Sequence, residues 1–166
     1  MTSTPIHETE QLWRSEPEKA KGKPAVTARS DGTQAVLEIG SFSWRADLPP
    51  PLGGTNAAPS PTALLLSALA GCAVVFIRDT LAPQLGVQIG EVQAVAQCET
   101  DSRGLLGIDG AAPDLQNLQL TIRIQSADTE EKVQHLYQVW QERCPVYLAL
   151  VNAVQVQTAL EVQAGA

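Results

Sequence analysis

Two of the three cysteines in this chain sit where helices could bring thiols together. Cys72 lies in LLLSALAGCAVV, where Leu65, Leu69, Cys72 and Phe76 recur at steps of 4, 3 and 4. Cys144 lies in QERCPVY, behind Val133, Leu136 and Trp140 at steps of 3, 4 and 4. Each cysteine therefore falls on the apolar face of a helix. If those helices pack together, the sulfurs can come within reach, and a thiol pair supports sulfenic acid and disulfide chemistry. The alternative is inert packing, because free cysteine is among the most buried residue types. Cys98 is in phase with the inward face of a strand and reads as a core thiol. Trp140 and Tyr147 flank Cys144; they wall an apolar pocket or simply fill the core. His7 and His135 are isolated, and neither forms a metal-binding spacing with a cysteine or an acid. The chain has no phosphate-binding loop and no Ser-His-Asp arrangement.

The elements that must position these groups follow from pattern and punctuation. Residues 1–23 are polar and form a tail or loosely attached arm, although Leu12 and Trp13 could dock on the body. The ordered domain, residues 24–166, starts near Pro24. A three-strand meander comes first. Ala25 to Ser30 leads into Asp31-Gly32, a dipeptide suited to a tight hairpin turn. Ala35, Leu37 and Ile39 alternate with Gln34, Val36 and Glu38, and Phe42, Trp44 and Ala46 alternate with Ser43 and Arg45. The Pro- and Gly-rich run from Leu48 to Gly54 is a surface loop.

Ser60 as N-cap and Pro61 in the first turn open a central helix that runs to about Leu81. Pro83 is expected to stop it, and Gly86 to end the exit. Two strands follow, with Val92, Ala94, Ala96 and Cys98 on one face of the first and Leu118, Leu120, Ile122 and Ile124 on one face of the second. Residues 100–115 between them are a long loop. A second helix is expected behind an Asp128–Glu131 capping box, with Ser126 a second cap candidate. Pro145 breaks that helix, and Val146 to Val151 make a further short turn. A last strand is expected where Val154, Val156, Thr158, Leu160 and Val162 alternate with Gln155, Gln157, Glu161 and Gln163. The order βββ-α-ββ-α-β is an α+β plan.

Composition narrows the class. At 166 residues the chain is one domain, large enough to bury a core without disulfide staples. Eleven Lys and Arg against 18 Asp and Glu give a net charge of −7. That balance, with no basic run, argues against nucleic acid and against anionic membrane surfaces as partners. The N-terminus lacks the apolar segment of a secretory signal, so the cysteines read as reduced thiols in the cytoplasm. Residues 62–77 carry no charge, but 16 residues fall short of the roughly 18 that a bilayer needs. The reading is a helix buried in protein on most sides; a membrane span is the alternative.

Two motifs extend the reading. GGTNAAPSPTALLLSALAGC resembles the signature of the OsmC/Ohr family, the thiol-dependent organic hydroperoxide reductases and their relatives. ERCPV resembles that family's second motif, and the likeness covers roughly residues 24–162. The resemblance implies an OsmC-like fold in an intertwined homodimer, with buried central helices and two active sites at the interface. It implies Cys72 as the peroxidatic nucleophile, Cys144 as the resolving thiol, and Arg29 before the hairpin turn as the cation that activates Cys72. Arg29 also reads as an ordinary hairpin charge. The implied substrate is a small organic hydroperoxide and the implied reductant an external dithiol, with no cofactor and no metal.

One position departs from the pattern. The family's hydroperoxide reductases pair the Arg with a Glu near the start of the central helix, where this chain has Thr62 or, one residue on, Ala63. That places the chain nearer the OsmC-like branch, with Thr62 offering only a hydroxyl to the substrate site and Asp47 or Glu142 as possible replacements. The competing reading is a non-enzymatic protein on the same fold, which binds a small hydrophobic ligand or senses redox state.

Overall fold

The computed structural model describes residues 5–152 and 154–162. The chain is α+β. Strands β1 (Thr27–Asp31), β2 (Gln34–Ile39) and β3 (Phe42–Ala46) form an antiparallel meander in that order. Asp31 pairs with Gln34, so the turn is Gly32-Thr33 rather than Asp31-Gly32, and Gly32 takes the positive φ of 61°. Val36, grouped with the polar residues by the alternation, is the buried residue of β2.

Helix α2 spans Pro61–Leu85, longer than the sequence suggested. Ser60 Oγ accepts the Ala63 N–H at 3.2 Å, the cap expected of it. Pro83 does not stop the helix. Residues Ile77–Leu81 widen into a π turn, and Ala82 N–H donates to the Ile77 carbonyl five residues back. Widening just upstream moves the backbone away from a proline ring that would otherwise clash with the carbonyl four residues earlier. Gly86 then ends the helix in the left-handed conformation, at φ 65°.

β4 (Ile89–Glu99) and β5 (Gln116–Ser126) form a second antiparallel pair, against which α2 packs. The loop between them holds a short helix, α3 (Ser102–Leu105). Helix α4 (Glu130–Arg143) starts from Thr129, not from an Asp128 capping box. The Asp128 carboxylate is already taken by the Gln88 N–H at 2.6 Å and the Lys132 ammonium at 2.8 Å. Cys144 joins α4 to α5 (Pro145–Val151). One core results, in which Ala73, Ile77 and Leu81 of α2 meet Leu136, Val139 and Trp140 of α4, with Cys144 fully buried among them.

Three expectations change. The N-terminal arm contains an ordered helix, α1 (Pro5–Ser15), whose Trp13 lines a cleft with Thr80 and Gln84 of α2, although Leu12 and Trp13 both stay exposed. The segment 154–162 is not a strand: Val156 is 82% and Leu160 88% exposed, and no strand among the described residues pairs with it. Its alternation is real, but a strand needs a neighbour to satisfy its backbone. Gln163, part of the same alternation, lies outside the described residues.

The third change concerns α2, which a single chain does not bury on most sides. Leu69, Ala73 and Ile77 are buried, while Leu65, Ala68, Gly71 and Val75, at steps of 3, 3 and 4, form an exposed apolar face. By length and composition alone the 25-residue helix could cross a membrane. Its packing against β4 and α4 is that of the core helix of a domain.

Candidate functional site

The loop before α2 is set by one carboxylate. Asp47 is 3% exposed and accepts from the Leu48 N–H at 2.7 Å, the Thr55 hydroxyl at 2.6 Å and the Ala57 N–H at 2.9 Å. These donors hold its carboxyl well below the usual range, the Thr55 hydroxyl most of all. The loop closes so tightly that a Cβ on Gly54 would lie 1.9 Å from the Leu48 carbonyl oxygen, so only glycine fits there. Asp47 is therefore a staple of the loop and not a replacement partner for Arg29.

Cys72 and Cys144 come together. Their sulfurs are 3.2 Å apart, thiol to thiol, although 72 residues separate them in sequence. Cys144 is fixed from both sides: its N–H donates to the Trp140 carbonyl at 2.8 Å, and its own carbonyl accepts the Leu148 N–H at 2.9 Å. Cys72 is half-buried and Cys144 fully buried. Burial pushes the Cys72 thiol up to about 11, and the Cys144 contact adds to the rise. The nearby backbone of Val146 opposes it more weakly.

Aromatic rings pack in the same cluster as the two thiols. Trp140 stacks on Tyr137 with centroids 5.8 Å apart and meets Tyr147 at 5.0 Å. With Leu69, Leu118 and Leu120 these rings line a cavity of about 150 Å³. The buried Trp140 Nε1–H has no hydrogen-bond partner among the described residues. Trp140 and Tyr147 thus both fill the core and wall a pocket.

Arg29 and Thr62 lie elsewhere in the chain. Arg29 shares a groove with Pro61 at the start of α2, and its nearest acid is Glu38, with Nε 4.0 Å from the carboxylate. Thr62 lines a cleft with Leu52, Leu105 and Leu115. Cys72 is ten residues beyond Thr62, about 15 Å along the helix. Within one chain the thiol pair and the Arg29 end of α2 are separate. Cys98 is half-buried on β4, in phase with Val92, Ala94 and Ala96. No cluster of His, Cys, Asp and Glu among the described residues could hold a metal ion.

Comparison with known proteins gives a consistent likeness. Residues 54–159 match a family described as OsmC-like protein. Among solved structures, the OsmC-like protein of Mycoplasma pneumoniae is 22% identical with a TM-score of 0.65, covering 80% of this chain and 89% of its own. A stress-response protein described as putative, from Psychrobacter arcticus, is 18% identical with a TM-score of 0.60, over 78% and 89% of the two chains. An organic hydroperoxide resistance protein from Elizabethkingia anophelis is 19% identical with a TM-score of 0.57, over 80% and 91%. At these identities the likeness is one of fold. None of the curated proteins matches.

Proposed function

The chain belongs to the OsmC-like family, and from that premise we propose that it is a thiol-dependent peroxidase that reduces organic hydroperoxides. The observation that carries this reading is the 3.2 Å approach of Cys72 to Cys144 beside an aromatic cavity. Cys72, as thiolate, attacks the terminal peroxide oxygen; the O–O bond breaks and, with a proton, the alcohol leaves. Cys72 becomes sulfenic acid. The Cys144 sulfur then attacks the Cys72 sulfur, the S–S bond forms, and water leaves. An external dithiol restores both thiols by two exchanges, becoming a disulfide itself. Such a cycle suits the reducing cytoplasm.

Activation asks for a second copy. A thiol held near 11 is almost wholly protonated at neutral pH, and the thiolate is the nucleophile. Arg29 is the cation the family pattern assigns, yet in its own chain it stands by the start of α2, about ten residues of helix from Cys72. An intertwined homodimer removes the difficulty if the Arg29 end of one α2 meets the Cys72 of the other. Two further features favour the dimer: the uncovered Leu65, Ala68, Gly71 and Val75 face, and the unpaired alternating segment 154–162. Glu38, beside Arg29, then offers the carboxylate that Thr62 lacks.

A second reading, a binding protein for a small hydrophobic ligand, is favoured by the neutral Thr62. Against it, a cavity of about 150 Å³ is small beside the ~300–1,000 Å³ of usual ligand pockets. Consumption of cumene hydroperoxide with a panel of dithiols decides between them. Turnover that disappears in Cys72→Ser supports the peroxidase; no turnover with any dithiol supports the binder.

A further inference from the structure

We propose that the indole N–H of Trp140 is the hydrogen-bond donor to a ligand oxygen in the aromatic cavity, and that the ligand is a compact, neutral, apolar molecule with one oxygen acceptor. The catalytic part of this proposal rests on the peroxidase reading given above. There the oxygen is the alkoxy oxygen of the hydroperoxide, which leaves as the alcohol.

The cavity has a floor and a rim. Leu69 and Trp140 are 2% and 1% exposed and make the floor, whereas Leu150 and Val151 of α5 are exposed and stand at the rim. Leu69 precedes Cys72 by three residues and Trp140 precedes Cys144 by four. Each floor residue is therefore about one helical turn from a member of the thiol pair. Tyr137 stacks on the indole and Tyr147 tilts against it, which fixes the plane of the ring. Its polar edge is left over: Nε1–H has no hydrogen-bond partner among the described residues. Tyr137 and Tyr147 are only half-buried, so their hydroxyls can turn to water.

A tryptophan this deeply buried normally spends its N–H on an acceptor, because an unmet donor in an apolar core is costly. Here the residue with the unmet donor lines a cavity of about 150 Å³. Leu69 beside it is apolar, so a lone water at the floor would find fewer than the roughly three bonds that buried waters make. A molecule with an apolar body and one oxygen suits the site better. The body packs on Leu69 and the rings, and the oxygen takes the N–H. An anion does not suit it, because no cationic side chain lines the cavity.

In the reaction the Cys72 thiolate attacks the terminal peroxide oxygen. An S–O bond forms, the O–O bond breaks, and its electron pair passes to the alkoxy oxygen. Trp140 Nε1–H donates to that oxygen as negative charge grows there, and keeps its own proton. The alkoxide takes a proton from water and leaves as the alcohol, with Cys72 left as sulfenic acid. A donor fixed in an apolar wall before the reaction begins supports developing charge far better than one in water. The help matters most for a basic leaving oxygen, so an alkyl hydroperoxide depends on it more than a peracid, whose leaving group is a carboxylate.

Two measurements test this. The first is free of peroxide and uses the reduced wild type, with 2-phenylpropan-2-ol, the alcohol formed from cumene hydroperoxide, as the probe. The indole N–H signals of Trp13, Trp44 and Trp140 are followed by NMR, with Trp140 assigned by elimination from Trp13→Phe and Trp44→Phe. The Trp140 signal is expected to move downfield and the other two to stay. Cumene, the same body without the oxygen, is expected to give no downfield move. A Trp140 signal that stays still, or that moves alike with cumene, overturns the proposal. The second replaces Trp140 by benzothienylalanine, which keeps the ring shape and puts sulfur in place of the N–H. Single-turnover oxidation of Cys72 by cumene hydroperoxide is expected to slow about a hundredfold, and by peracetic acid less than about tenfold. Iodoacetamide alkylation of Cys72 is expected to stay unchanged. Slowing by the same factor with both oxidants, as a general loss of packing would give, or slowing with neither, overturns the catalytic role of Trp140 alone. A wild type whose Cys72 no hydroperoxide oxidises overturns the peroxidase reading and that catalytic role with it, while the indole signal still decides the binding site.

Discussion

Cys72 and Cys144 hold their sulfurs 3.2 Å apart where α4 gives way to α5, about 1 Å beyond a disulfide bond length. The pair is asymmetric. Cys72 is half-buried, on the helix next to the aromatic cavity, whereas Cys144 is fully buried in the core. On the proposed peroxidase reading, peroxide meets Cys72 first, and Cys144 is the nearest trap for what forms there.

The first expectation concerns the two thiols. Organic hydroperoxide should convert the wild type to a Cys72–Cys144 disulfide. Cys144→Ser should react once, stall as sulfenic acid, and progress to sulfinic acid with excess peroxide. Cys72→Ser should not react appreciably, and Cys98→Ser should behave like the wild type. Mass spectrometry of the three variants reads all of this together. A Cys72→Ser chain that consumes peroxide at the wild-type rate would move the nucleophile elsewhere.

A second expectation tests the uncovered face of α2. A Cβ on Gly71 meets nothing within 4 Å in the single chain, so Gly71→Leu fits there without strain. Replacing a helix-interior glycine with leucine should favour the helix by about 1 kcal/mol. If Leu65, Ala68, Gly71 and Val75 pack against a second copy, the bulk of leucine should instead abolish self-association. Light scattering gives the mass and calorimetry the melting point. A wild-type mass with a raised melting point would place the interface on another surface.

Much of the site was legible because helical periodicity is local. Leu69 and Cys72, like Leu136, Trp140 and Cys144, point where the steps of three and four put them, and that alone brings the sulfurs together. What was not legible depends on residues far away in sequence. Pro83 reads as a helix stop, yet a π turn at Ile77–Leu81 lets the helix continue into it. Asp128 reads as a cap, but its carboxylate serves Gln88, 40 residues earlier. The alternation at 154–162 announces a strand and is silent on which edge receives it. Arg29 carries the right charge before the right turn, but only the fold shows that it sits at the start of α2, away from Cys72 in the middle of that helix.

The third expectation concerns Asp47. Its carboxyl lies below its ordinary value of 3.8 because the Thr55 hydroxyl and the Ala57 N–H donate to it. A group with a lowered folded value stabilises the protein above its unfolded value and loses that support as pH falls. Asp47→Asn should therefore melt below the wild type at pH 7. The gap should narrow as pH drops below about 4. Melting curves from pH 7 to pH 2 check this. A gap constant across that range would mean that the loop is held by shape and not by the carboxylate charge.

The last expectation decides whether Arg29 activates Cys72. In a single chain, burial leaves Cys72 with a value of about 11, above its ordinary 9.0. For a thiol raised in this way, folding is supported fully below the unfolded value. That support is lost as pH rises from about 9 toward 11. An isolated chain should thus show both a stability loss over that window and alkylation that gathers speed only there. If Arg29 of a second copy lies against Cys72, the thiolate is favoured and both signatures move to lower pH. Arg29→Ala should then slow alkylation at pH 7 about tenfold or more, since each unit of upward shift removes a factor of ten in thiolate. Arg29→Lys, which keeps the charge but not the planar fork, should fall between the two. Glu38→Gln should also slow alkylation, by less than Arg29→Ala, because it loosens the cation without removing it. Equal rates in wild type and Arg29→Ala, with both proteins folded and of the same mass, would leave Arg29 an ordinary hairpin charge.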